Sequence, residues 1–100
     1  MIEVRQTEAF ANWLRKLRDD EAFARIHARI RRLILGSFGD VRPVGKGVCE
    51  MRIDYGPGYR VYYTQVGSLV VLLLVGGTKK TQQSYIARAI AMAKEEVHVP

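Results

Sequence analysis

The stretch Leu69-Val70-Val71-Leu72-Leu73-Leu74-Val75 is apolar at all seven positions, and that restricts the surroundings it can have. A membrane-spanning helix needs about 20 such residues, so the stretch reads as a strand. A strand with apolar side chains on both faces has to be covered on both faces. The chain must therefore supply packing layers above and below one sheet.

The segments before it supply the sheet. Residues 48–55 and 59–66 alternate apolar and polar types, and Gly56-Pro57-Gly58 and Gly67-Ser68 punctuate an antiparallel meander with 69–75 as its last strand. Read as a three-residue hairpin loop, Gly56-Pro57-Gly58 sets Tyr55 opposite Tyr59, Asp54 opposite Arg60 and Arg52 opposite Tyr62. Met51, Ile53, Tyr55, Tyr59, Val61 and Tyr63 then share an apolar face. Arg52, Asp54, Arg60, Tyr62 and Thr64 share a polar one. A slip by one residue would mix arginine with isoleucine, so the pattern supports this parity.

The two layers are legible as helices. Ile2 and Val4 alternate with Glu3 and Arg5 in a short first strand, and Thr7 then caps a helix with Phe10, Trp13, Leu14 and Leu17 on one side, ending near Arg18. Asp19 or Asp20 caps a second helix with the stripe Phe23, Ile26, Ile30, Leu33 and Ile34, closed by Gly36. These form a helical hairpin for the apolar face. The stretch 36–47, rich in glycine and containing Pro43, reads as a surface loop. A last helix over 82–96, capped by Thr81, carries Ile86, Ala89, Ile90, Ala93 and Val97 for the second face. The fold class is α+β: an N-terminal strand and helical hairpin on a small, twisted, mainly antiparallel sheet, with a C-terminal helix. One domain takes up residues 1–100.

Charge indicates the kind of partner. Sixteen Lys and Arg stand against ten Asp and Glu, a net +6, and eleven of the sixteen are Arg, whose planar fork suits phosphate oxygens. Polyanions, acidic proteins and anionic surfaces all fit such a balance. The single Cys49 excludes an intrachain disulfide and suits a reducing compartment. No basic stretch followed by an apolar one opens the chain, so a cytoplasmic location is expected. His27 and His98 have no acidic or cysteine neighbours at ligand spacing, and neither metal nor cofactor is expected.

The junction Gly76-Gly77-Thr78-Lys79-Lys80-Thr81 leads from the last strand into a helix start, where free N–H groups and the helix dipole favour an anion. It is not a Walker loop, because the second glycine ahead of a Lys-Ser/Thr pair is missing. Arg52 and Arg60 on the polar sheet face, Lys79 and Lys80 at the strand end, and Tyr85 in the first helical turn are expected to converge. Such a concavity holds single-stranded RNA, phosphates on the cations and a base on the ring. The bland reading has Arg60 pairing with Asp54 across the hairpin. Arg25, Arg29 and Arg32 line one side of the second helix, and with Lys46 they are candidate RNA contacts outside the site.

The order of these elements, with Gly58-Tyr59-Arg60 on a central strand, the apolar strand 69–75, Gly-Gly-Thr-Lys-Lys-Thr-Gln and a closing helix, resembles the RelE/ParE toxin superfamily. It is most similar to the HigB-like addiction module killer branch. The resemblance covers essentially the whole chain, with Glu50 to Gln82 as its specific part. It implies a toxin that cleaves mRNA on the ribosome, a hydrolase-type endoribonuclease that inhibits translation, neutralised by a cognate antitoxin, often of helix-turn-helix type. By motif, Arg60 matches the family's strand arginine, Lys79 or Lys80 its basic residue beyond the last strand, and Tyr85 its tyrosine on the closing helix. Arg52 stands where a basic residue on the preceding strand is expected. RelE-type members carry lysines at alternate positions there, whereas this chain has Arg52-Ile53-Asp54, and no counterpart of the histidine of some HigB toxins appears. The alternatives are a ParE-like gyrase inhibitor without nuclease chemistry and an inactive RNA-binding member.

Overall fold

The computed structural model describes residues 1–96, so Val97 and His98 lie outside the described residues. The elements run β1 (Glu3–Gln6), α1 (Glu8–Arg15), α2 (Asp20–Ile34), β2 (Val41–Gly45), β3 (Val48–Ile53), β4 (Tyr59–Val66), β5 (Val70–Thr78), a 3-10 turn (Lys79–Thr81) and α3 (Gln82–Glu96). The five strands form one sheet in the order β1-β5-β4-β3-β2. β1 runs parallel to β5 and every other pairing is antiparallel.

The apolar strand sits between two layers, as its composition requires. On one face Phe10, Leu14, Ala22, Ile26 and Leu33 from α1 and α2 bury Met51, Ile53, Tyr59, Val61, Tyr63, Val71 and Leu73. On the other, Ala89 and Ala93 of α3 pack over Val48, Tyr62, Leu74 and Val75. Thr7 caps α1 by accepting from Phe10 N at 3.0 Å, and its hydroxyl also donates to Leu74 O at 2.6 Å. That one side chain ties the first helix to the central strand. Asp19 caps α2 through Glu21 N and Ala22 N, and its carboxylate also accepts from the Tyr55 hydroxyl at 2.9 Å.

Five expectations change. The stretch 36–47 is not all loop, because Val41–Gly45 forms an edge strand on β3, where Pro43 is tolerated since an edge needs fewer ladder bonds. The hairpin between β3 and β4 spans residues 54–58, so Ile53 faces Tyr59, Arg52 faces Arg60 and Glu50 faces Tyr62. This register is shifted by two residues, which preserves every face assignment but releases Asp54 from Arg60. β5 starts one residue late and runs on through Gly76, Gly77 and Thr78, so the glycine pair lies inside the strand. Finally, α1 ends at Arg15, and Phe23 points outward against His27, ring centroids 4.4 Å apart, leaving Ala22 as the buried residue of that turn.

The pairing of β4 with β5 slips between Tyr62 and Tyr63, where Val75 and Leu73 are the respective partners and Leu74 is extra. This bulge switches the phase of β5. Leu74 and Val75 both face α3 as a result, and the two glycines after them point to opposite sides.

Candidate active site

The second sheet face carries a buried polar network centred on a residue the sequence reading did not single out. Glu50 is fully buried. Its Oε2 accepts from Tyr62 Oη at 3.1 Å and from Gln82 Nε2 at 2.8 Å, and its Oε1 accepts from Arg42 Nε at 3.3 Å. Burial and the adjoining Glu50 push the Tyr62 phenol well above its ordinary pKa. Strand parity was the available signal, since Glu50 shares a face with Arg52, whereas its place opposite Tyr62 comes from the observed register.

Arg60 stands on this network. Its Nε lies 3.8 Å from Glu50 Oε2, too far for a hydrogen bond, and is the one buried side-chain nitrogen or oxygen without a partner among the described residues. Nη1 donates to the carbonyls of Gly58 and Tyr59, both at 3.2 Å. The guanidinium is thus held through Nη1 at the end of the hairpin loop, with its Nε over Glu50. Gly58, at φ +77°, makes this possible, because a side chain there would crowd Lys79 Cβ and Arg60 Nη1.

Arg52, Arg60 and Lys79 line one open cleft of about 480 Å³, together with Asp40, Asp54 and the loop 56–58. Arg52 is bound to Asp40, Nη2 to Oδ1 at 2.8 Å, and this contact holds the Asp40 carboxyl below the usual carboxylate range. Among the described residues Lys79 has no ion-pair partner within 4.0 Å. Among the described residues Lys79 is therefore the cleft cation without a carboxylate within 4.0 Å, since Arg52 stands against Asp40 and Arg60 over Glu50.

The glycine-lysine junction has a different construction from the one its residues suggest. Thr78 N donates to Thr81 Oγ1 at 3.1 Å and Lys79 N to Gly58 O at 2.8 Å, so the first N–H groups of the turn are already used. Gly76 and Gly77 instead seat aromatic rings. A Cβ on Gly76 would stand 2.1 Å from the Trp13 ring, and one on Gly77 would stand 2.7 Å from the Tyr85 ring. Tyr85 thus lies over Gly77, the cross-strand partner of Arg60, and lines a neighbouring cleft rather than the one holding Arg52 and Lys79. Lys80 is exposed and outside both linings.

The outlying arginines divide in role. Arg29 is turned inward, donating to the carbonyls of Arg52 (2.5 Å), Phe38 (3.2 Å) and Asp40 (3.3 Å), so it pins the segment that carries Asp40. Arg25 pairs with Glu21 and lies 4.8 Å from the Tyr55 ring centroid. Arg32 is exposed, and Lys46 sits at the tip of the β2–β3 turn with φ 53°.

This arrangement, a mixed sheet with a helical hairpin on one face and the C-terminal helix on the other, is the RelE-type fold. The E. coli RelE toxin superposes with a TM-score of 0.66 at 15% identity in the intact RelBE toxin–antitoxin complex, covering 78% of this chain and 96% of RelE. The isolated RelE toxin in its P21 form gives 0.66 at 14% identity, over 88% and 98%. The family described as Phage derived protein Gp49-like (DUF891) matches residues 12–98, and the chain belongs to it. An uncharacterized protein of Haemophilus influenzae is 46% identical over 94 residues, 94% of this chain and 95% of that protein.

Proposed function

We propose that this chain is the toxin of a toxin–antitoxin pair and an endoribonuclease that cuts mRNA on the ribosome. The observation that carries the reading is the convergence of Arg52, Arg60 and Lys79 on one open cleft, with Tyr85 one strand position away across Gly77. Cleavage of this kind removes the proton of a 2′-hydroxyl, forms a bond from that oxygen to the adjacent phosphorus, breaks the P–O5′ bond and returns a proton to the leaving oxygen. The products are a 2′,3′-cyclic phosphate and a 5′-hydroxyl. Arg60, held by backbone carbonyls and backed by Glu50, suits the charge that builds on the phosphoryl oxygens. Lys79 and Tyr85 flank it as the proton-transferring groups.

The cleft is open and two of its three cations, Arg52 and Arg60, stand beside a carboxylate, so the chain needs help to orient RNA, and the ribosome provides it. An antitoxin partner fits the RelBE comparison, and a cytoplasmic site of action follows from the target. Among the described residues no helix is long and apolar enough to cross a membrane. The HigB-like branch and a helix-turn-helix antitoxin belong to the same reading.

Purified protein should cleave mRNA on programmed ribosomes far faster than naked RNA, and Arg60→Ala should abolish both that cleavage and growth arrest on expression. Equal, rapid cleavage of naked RNA would sink the ribosome dependence. Full toxicity in an Arg60→Ala/Tyr85→Ala double variant would replace the nuclease with gyrase inhibition.

A further inference from the structure

Arg52 and Arg60 stand directly opposite each other across β3 and β4, a pairing that sets Cβ atoms about 4.5–5.5 Å apart. Two like charges starting so close repel, and Arg52 is the more exposed of the two. Without a hold its long side chain would swing out into water.

Asp40 supplies the hold. Its Oδ1 accepts from Arg52 Nε at 3.2 Å and from Nη2 at 2.8 Å, while its backbone carbonyl accepts from Arg52 N at 2.9 Å. Asp40 is itself fixed from α2. The half-buried Arg29 donates from Nη1 to the Arg52 carbonyl at 2.5 Å and from Nη2 to the carbonyls of Phe38 and Asp40 at 3.2 and 3.3 Å. Gly39 leaves room for that fork, since a Cβ there would stand 2.9 Å from Arg29 Nη2. An exposed ion pair by itself holds little, but here the carboxylate is anchored to the strand that carries its partner.

We propose that Asp40, with Arg29 behind it, is a positioning residue for Arg52: it aims the guanidinium into the cleft and offsets its charge, so that Arg52 grips a phosphate already delivered there and attracts loose RNA poorly. The proposal rests on the nuclease reading and deepens it. Among the described residues Arg52 Nη1 has no hydrogen-bond partner, so it and the second hydrogen of Nη2 remain for phosphoryl oxygens. Fixing a guanidinium before the substrate arrives is what lets it act on the transition state. A carboxylate that only repelled phosphate would work from anywhere on the rim and would need neither the three bonds to Arg52 nor the fork from α2.

Asp40→Asn and Arg29→Lys separate orientation from charge. On programmed ribosomes at saturating protein, Asp40→Asn should lower the cleavage rate about tenfold or more. The same variant should bind a short 2′-O-methyl RNA about fivefold more tightly at low salt, the size of one charge at contact distance in water, with a salt slope steeper by about 0.7. Arg29→Lys keeps the charge but cannot serve three carbonyls, and should lower the rate with the slope unchanged. A faster rate in Asp40→Asn would reduce Asp40 to an electrostatic brake, and unchanged rates in both variants would reduce it to a structural contact; either overturns the proposal. If urea denaturation shows Arg29→Lys unfolded, Asp40→Asn decides alone, because its backbone bonds are intact. The Arg52 Nε–H signal in 15N NMR tests the hold without any cleavage. It should be resolved in the parent chain and exchange-broadened in both variants, and equal signals would overturn the hold. A parent chain that shows this difference but cuts no RNA on ribosomes keeps the hold and removes the nuclease.

Discussion

Gly76 and Gly77 exist for the rings that lie on them. Trp13 packs against Gly76 while meeting Tyr59 edge-on at 6.2 Å, so a methyl group at position 76 has nowhere to go without moving an aromatic layer. Gly76→Ala should lower unfolding stability by about 1–3 kcal/mol, as overpacking does, measured by urea denaturation. Glu50 is the other residue whose role depends on burial. Removing it leaves Arg60, Tyr62 and Gln82 facing one another with no acceptor between them, and Glu50→Ala should cost about 3–5 kcal/mol, the range for breaking a buried ion pair. Glu50→Gln keeps an acceptor and should cost less in the same assay.

Capping residues decide how the helical hairpin meets the sheet. Asp19 holds the N-terminus of α2, and bonds first from Ala22 N and then from the Tyr55 hydroxyl lower its pKa in the folded chain. An aspartate lowered from its unfolded value near ~3.9 stabilises the fold above that value, and the contribution is lost as pH falls through the folded pKa. Asp19→Asn should therefore reduce stability at neutral pH and flatten its further decline below about pH 4, followed by thermal unfolding across pH. Thr7 acts at the other helix start, and Thr7→Ala, which loses both the cap and the buried bond to Leu74 O, should cost about 1–2 kcal/mol in thermal unfolding.

The whole molecule presents its charge unevenly. Its net +6 includes arginines spent internally, such as Arg29 on carbonyls and Arg52 on Asp40, so few cations remain to meet phosphate at the cleft. With about two or three phosphate contacts on a single strand, log Kd should rise with log salt at a slope of roughly 1.5–2, far below what the net charge alone would suggest. Filter binding of a short 2′-O-methyl RNA across salt concentrations checks this, and Lys79→Gln should reduce the slope by about 0.7.

Side-chain parity in the strands, the glycine and proline punctuation and the capping residues were enough to read the layers, the two sheet faces and the helix starts, because these depend on neighbours close in the chain. Arg52 and Arg60 were placed on one face by the same rule. The rest was decided by pairings between distant segments. The bulge at Leu74 sets which side each glycine faces, and no local residue marks it. Pro43 and its flanking glycines hid an edge strand that exists only because β3 lies beside it. Tyr85 is separated from Lys79 by the ring seat at Gly77, and Glu50 gains its place at the centre only when α3 folds over the sheet and removes water from around it. The sequence by itself determined a sheet that had to be covered on both faces and a basic end to it. Only the tertiary structure decided which cations meet there, because their distances follow from strand register and phase.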